Sequence, residues 1–324
     1  MTIVHDLQEC RCFAPAIPFG EQLAAVHVPF DDLLGNAAQE RRVRQVAQTG
    51  GLSLVIGNTG EGKSGLVSYA LSIAHAFLAV TVPVSVPYPG GALPSQIPAM
   101  VLNGFARVLA TINETASIEA ELAAAGQRPR RRLSGTLTWK GVQLNVGDLL
   151  RDRPRTAREQ RDAISQATVA LREYGLAPVL VLDDTDKWST GADRLLAGRE
   201  FFDQCLEALV ELELPVVANA HPRYFDETRP PTHFDAVVEL PRLQHDGIAR
   251  ILARRVEAAT DRQTTATDLF TDEALTTVAD VYSQDPSVTI RRIIQIANEA
   301  LLEADEAGLE HITIGAVQNA LAAR

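Results

Sequence analysis

Residues 52–64 read LSLVIGNTGEGKS. Leu52–Ile56 is a short apolar run between glycines, the signature of a strand buried on both faces. Gly57-x4-Gly62-Lys63-Ser64 then fills every fixed position of a phosphate-binding loop. From Lys63 to about Leu78 the residues are apolar almost all round, as in a buried helix. A glycine-rich turn without a ligand has no need of a strand before it and a helix after it. The context therefore favours a true phosphate loop.

Each residue of the loop has a task on this reading. Gly57, Asn58, Thr59, Gly60, Glu61 and Gly62 turn backbone N–H groups around the β- and γ-phosphates. The helix starting at Lys63 points its positive end at the same anion. Lys63 reaches the β/γ-phosphates and the Ser64 hydroxyl ligates Mg²⁺. ATP and Mg²⁺ are the expected ligands.

Residues 179–188, VLVLDDTDKW, carry the second half of that chemistry. Four apolar residues run into adjacent carboxylates, which are costly at a buried strand end unless a cation offsets them. A magnesium nucleotide needs such a carboxylate on a neighbouring strand. Asp183 takes the metal role, and Asp184 is placed to act as general base or to position water. The plainer alternative makes Asp183 a helix cap and Asp184 a solvated charge. Asp186 reads as a cap or surface charge.

The 324 residues leave room for one large domain and a smaller one. No run of apolar residues reaches membrane-spanning length, so no membrane partner is expected. The start, MTIVHDLQECRC, is unlike a secretory signal. Three cysteines, Cys10, Cys12 and Cys205, do not suggest a disulfide framework, and the chain reads as cytoplasmic. Cys10 and Cys12 near His5 lack an evident fourth metal ligand. The net charge is −11, but residues 128–161 hold ten Lys/Arg against three acids, which leaves about −18 for the remainder. Such asymmetry points to a partner for the basic segment.

Along the chain, 80–89 alternates like a strand, although Pro83 demotes it to a sheet edge. Residues 93–113 read as a helix. The 114–161 segment is irregular, with a hairpin signal around Lys140-Gly141. A helix over 157–174 ends at Gly175, and strand 179–182, helix 197–212 and strands 214–220 and 235–240 follow. After Pro241 only helical spacing remains, with Asp246, Thr271, Ser287 and Thr313 at N-cap positions. The expected organisation is an α/β domain over 1–243, with a basic insertion at about 114–161, and an all-helical domain over 244–324.

With both motifs placed, the chain resembles the AAA+ ATPases, and among them the origin-recognition and initiator types, over roughly residues 25–320. The resemblance implies an α/β P-loop NTPase: a three-layer parallel-sheet core followed by a small all-α lid. HVPFDDLLGNAAQE (27–40) is similar to the family's opening segment, which makes Val28, Pro29 and Phe30 candidate adenine contacts. VVANAHP (216–222) looks like the sensor 1 strand, with Asn219 orienting water or the γ-phosphate. TIRRIIQIANEA (289–300) looks like the sensor 2 helix, with Arg291 facing the nucleotide and Arg292 next best. Arg229 is the best-placed trans-acting arginine finger, and Arg223 is second. A finger implies an oligomer with ATP between subunits. The family's strand order puts the second strand, here 80–89, at the sheet edge, where Pro83 also requires one.

Two features depart from the family. The acid pair is Asp183-Asp184 where Asp-Glu is usual, which is similar to STAND-type switch ATPases and implies slow hydrolysis. No winged-helix segment follows the helical region, so DNA binding is not implied by the family. It rests on Arg128, Arg130, Arg131, Arg132, Arg151, Arg153 and Arg155, with Arg158 and Arg161, flanking a hairpin that displays Trp139. A protein partner or a plain solvated surface are the alternatives. Two functional readings follow: an ATPase coupling ATP to assembly and acting on DNA, or a STAND-like switch acting on a protein.

Overall fold

The computed structural model describes residues 3–9, 12–14, 16–35, 37–73, 77–82, 94–105, 107–108, 156–173, 175–185, 191–226, 231–260 and 265–323. The elements run α1 (Ile3–Glu9), α2 (Glu21–Ala25), α3 (Phe30–Leu34), α4 (Ala38–Thr49), β1 (Leu52–Ile56), α5 (Lys63–Ser72) and β2 (Phe77–Thr81). A helix over 97–105, α6, precedes α7 (Ala157–Glu173), β3 (Ala177–Leu182), α8 (Ala192–Val210), β4 (Val216–Ala220) and β5 (Ala236–Glu239). Only helices follow: α9 (His245–Ala259), α10 (Ala266–Leu269), α11 (Asp272–Gln284), α12 (Ile290–Glu306) and α13 (Ile314–Ala322).

The strands form one five-stranded parallel sheet in the order β2-β3-β4-β1-β5. Phe77 stands opposite Ala177, and Leu180 opposite Val216. β1 and β4 are buried at every position and β3 at all but its first, whereas β2 is only half-buried. That contrast is the expected one: helices cover both faces of the central strands, so these read as unbroken apolar runs. β2 lies at the edge, as expected. Pro83, which carried part of that expectation, lies outside the described residues.

The chain divides into two compact units. One comprises Met1–Val43, Val55–Ser72 and Val238–Arg324, and the other Arg44–Leu54 and Ile73–Val237. Within the first, α2 packs on α5, and α9 to α13 pack on one another, with α1 lying on α12. Ile248, Leu252, Val278, Ile293, Ile296 and Val317 are fully buried there. Within the second, α7 packs on β3. Val179–Leu182 and Val216–Ala218 have no exposed surface, so truncating any large apolar one to alanine costs roughly 2–5 kcal/mol.

Several boundaries differ from the sequence reading. α5 stops at Ser72, and 77–81, inside the expected helix, is the edge strand. A short apolar run does not distinguish a buried helix from a strand by period alone. The expected strand over 80–89 falls largely on residues outside those described, as does the 109–113 end of the helix expected over 93–113. α8 starts at Ala192 rather than 197, after Gly191. The N-cap expected at Ser287 is Thr289, whose hydroxyl accepts from the Arg292 amide, and Gln244, not Asp246, precedes α9. Thr271 and Thr313 cap as expected. No helix among the described residues is long and apolar enough to cross a membrane.

Candidate functional site

The phosphate loop lies in the first unit. Gly60 and Gly62 have φ of 85° and 92°, left-handed values that glycine adopts without strain. Gly60 is also needed for closeness: a Cβ there would lie 2.8 Å from the Arg291 Cβ and 2.9 Å from the Thr289 hydroxyl. Lys63 is buried at the first position of α5, and its ammonium donates to the Gly57 and Asn58 carbonyls at 2.7 and 2.9 Å. Ser64 follows on the first turn of the same helix, at the end where unpaired N–H groups favour an anion.

The same unit joins this loop to the C-terminal helices. The Arg291 N–H donates to the Gly60 carbonyl at 3.0 Å. The Tyr282 hydroxyl, on α11, donates to Glu61 Oε2 at 3.2 Å. Arg242 lies 3.9 Å from Glu61 Oε1 and 4.0 Å over the Tyr282 ring. Its guanidinium also donates to the carbonyl of Tyr282 in the last turn of α11 and to those of Asp285, Pro286 and Val288 in the segment that follows. Burial raises the Glu61 carboxyl, although Tyr282, Arg242 and Lys63 oppose the rise. Burial, with Glu61 beside it, pushes the Tyr282 phenol up to about 12. Arg291 has an exposed side chain, whereas Arg292 is half-exposed and pairs with Glu299 at 3.3 Å.

Of the three expected base contacts, Val28 and Phe30 are buried and Pro29 is half-buried. The Phe30 N–H donates to Glu40 Oε1 at 2.7 Å, and His27 lies 3.5 Å from the same oxygen. The His27 ring lies tilted against that of Tyr69 of α5 with centroids 4.9 Å apart. Burial alone would raise the Glu40 carboxyl, but the nearby His27 and the bond from the Phe30 N–H outweigh it and hold it low.

The acid pair lies in the second unit, at the end of β3. The Asn219 amide, at the end of β4, donates to Asp183 Oδ1 at 2.7 Å. Its Oδ1 is buried with no hydrogen-bond partner among the described residues. Asp184 is exposed, with φ of 59°. Thr185, fully buried, donates its hydroxyl to the Asn219 carbonyl, and the Tyr224 hydroxyl donates to the Thr185 carbonyl at 2.5 Å. Asp183 and Asn219, expected separately from sequence, are thus in direct contact.

This architecture has solved counterparts. The DNA complex of the Aeropyrum pernix ORC1 protein matches with a TM-score of 0.51 at 15% identity, over 93% of this chain and 69% of that one. The ORC2 protein of the same organism matches with a TM-score of 0.51 in its ADP form, at 13% identity over 88% of this chain and 67% of that one. Its ADPNP–ADP complexes match with 0.52, at 12% identity over 91% and 69%. The fold is the AAA+ fold that these structures share. No protein-family model and no curated protein sequence matches the chain.

Within the AAA+ fold, sequence reasoning missed His27, Glu40, Thr185, Tyr224, Arg242 and Tyr282. Most sit at ordinary-looking positions. Arg242 had a signal, an arginine directly after the proline that ends the last strand. The arginine-finger candidate Arg229, the arginines from Arg128 to Arg155, Trp139 and Asp186 lie outside the described residues. Arg223, the second finger candidate, is exposed, and its carbonyl accepts from Arg199 at 2.9 Å. Arg161, at the end of the basic segment, is paired with Glu211 at 2.5 Å, so part of that charge is answered within the chain. His5 bonds Asp305 at 3.1 Å, and Cys12 is buried.

Proposed function

We propose that this protein is a magnesium-dependent ATPase that couples ATP binding and hydrolysis to assembly, and that it acts on DNA. The observation that carries the nucleotide part is the loop itself: left-handed Gly60 and Gly62 leading into α5, with Lys63 at its first position. A Cβ at Gly60 would foul its neighbours, so the loop takes this path only with glycine there. Gly57 to Ser64 would hold the phosphates, Ser64 and Asp183 the Mg²⁺, and Val28, Pro29 and Phe30 the base. The residues fit that ion, because Asp183 is already oriented by Asn219 and the orphaned Asn219 Oδ1 is an acceptor for water beside it. The metal would neutralise charge on the phosphates.

Asp184 would draw a proton from the attacking water, Asn219 would orient that water, and Arg291 would bind the phosphates from the helical lid at 244–324. Arg229 would complete the site of a neighbouring subunit. The arginines at 128–155 would grip DNA phosphates. Support for DNA comes from that basic segment and from the fold shared with an ORC1 protein solved on DNA. A second reading, a slow STAND-like switch acting on a protein, is favoured by Asp184, one methylene shorter than glutamate.

Steady-state ATP hydrolysis, with and without duplex DNA and over a range of protein concentrations, tests the proposal beside Asp184→Asn. Turnover that rises with both and falls to a small residual rate in the variant supports it. Tight ATP binding with negligible turnover, unchanged by DNA, moves the assignment to the switch.

A further inference from the structure

Asp184 holds a left-handed backbone, φ 59°, at the position assigned to the general base. Aspartate enters that region more readily than most residues with a side chain, but the path the chain takes through it is set by what holds the residues on either side. Here both neighbours are tied down. Asp183 is fixed from β4 by the Asn219 amide at 2.7 Å. Thr185 is fixed twice, its hydroxyl donating to the Asn219 carbonyl and its own carbonyl accepting from Tyr224 at 2.5 Å.

Tyr224 is held by packing that does not involve the acid pair. It is 1% exposed, and its ring lies 5.3 Å from that of Phe202. It also presses on α8 at Gly198, where a Cβ would come within 2.5 Å of the tyrosine ring. The hydroxyl is therefore delivered to a fixed point by a rigid wall of the second unit. That wall, through one carbonyl, sets the direction in which the chain leaves Asp184.

We infer that Tyr224 and Thr185 are positioning residues for hydrolysis: they act on the reaction through the Asp184 backbone and touch neither nucleotide nor water. The inference rests on the ATPase reading above. Misplacing a catalytic group by about 1 Å costs on the order of 100-fold in rate. A partial release, by removing one hydroxyl, is expected to cost about 10-fold.

The test compares Tyr224→Phe, Thr185→Val and Thr185→Ser with the parent protein, measuring kcat and KM for ATP, the Kd of a fluorescent ATP analogue, and thermal unfolding. The expected result is a roughly 10-fold lower kcat for Tyr224→Phe and Thr185→Val, with KM and Kd nearly unmoved. Thr185→Ser, which keeps the hydroxyl, restores the rate. In the Asp184→Asn background, Tyr224→Phe lowers the residual rate no further. An unchanged kcat in both hydroxyl-deleting variants overturns the inference. So does an equal fall with and without Asp184, or a loss of rate that merely follows a loss of ATP binding. Should Tyr224→Phe fail to fold, the valine and serine pair at 185 decides alone. A parent protein that binds ATP but never turns it over, with DNA and at every concentration, removes the hydrolase reading and this inference with it, whereas an active parent with unaffected variants removes only the inference.

Discussion

The Arg291 amide donates to the Gly60 carbonyl at 3.0 Å, so the first turn of α12 and the middle of the phosphate loop are joined through their backbones. No side chain can be mutated to break this bond, but the space around it can be filled. Gly60→Ala places a methyl 2.8 Å from the Arg291 Cβ, at a φ of 85° that disfavours alanine. We expect a loss of roughly 1–3 kcal/mol in stability together with weaker ATP binding. Urea unfolding and nucleotide titration check this, and an unchanged Kd would show that the loop does not need its approach to α12.

The two arginines that open α12 are predicted to separate. Arg291→Ala removes an exposed side chain, so stability should stay within about 0.5 kcal/mol while turnover drops at least tenfold. Arg292→Ala breaks a half-exposed pair with Glu299, worth about 0–1 kcal/mol, and should leave turnover nearly intact. Parallel kinetics on the two variants would expose a reversed assignment at once.

Glu61 gives a pH signature. Its folded-state value is raised, chiefly by burial. A raised acid favours folding while protonated, so its contribution is full below the ordinary carboxylate range and is lost as pH climbs through the raised value. Glu61→Gln keeps an acceptor for Tyr282 and cannot ionise. The variant should be the more stable protein at pH 7, with the difference closing in acid. Denaturant melts from pH 4 to 8 measure it, and a variant less stable at pH 7 would mean that the Arg242 attraction prevails.

Glu40 should behave in the opposite sense. Against the effect of burial, the nearby His27 and the Phe30 N–H hydrogen bond hold its carboxyl low, so its contribution is present above the ordinary range and lost as pH falls through the lowered value. Glu40→Ala strips the buried Phe30 amide of its acceptor and should cost about 1–3 kcal/mol at neutral pH. The segment 28–30 would loosen, and affinity for ATP should fall more than affinity for inorganic triphosphate.

DNA binding, if carried by Arg128, Arg130, Arg131, Arg132, Arg151, Arg153 and Arg155, must be steeply salt-dependent. Removing one phosphate-gripping arginine should make the slope of log K against log salt shallower by about 0.9. Replacing these arginines with no change in DNA affinity would leave the segment to a protein partner.

The parts of the fold that were legible in the sequence are those where local pattern and burial agree. Leu52–Ile56 and Val179–Leu182 are buried at every position because both sheet faces are covered, and Gly57 to Ser64 is defined by residues whose backbone freedom or charge has no substitute. The end of α5 and the start of β2 were misread because both are apolar, and no Gly or Pro stands between Ser72 and Phe77 to mark the break. The bond between Asp183 and Asn219 joins residues 36 apart, so spacing alone gives no sign of it. Tyr224 and Tyr282 were invisible for a simpler reason: a buried tyrosine looks like core until its hydroxyl is seen to have a partner.

The first stretch of the chain has a practical bearing. Val4, Leu7 and Phe13 are wholly buried, Phe13 meets Phe270 edge-on at 5.8 Å, and the Ala14 carbonyl accepts from the buried Arg255 at 2.9 Å. These residues look dispensable, yet they are inner packing for helices that come far later in the sequence. A shortened version lacking them would lay bare Phe270 and strand the Arg255 charge. Its aggregation could easily be mistaken for a failure of the nucleotide site.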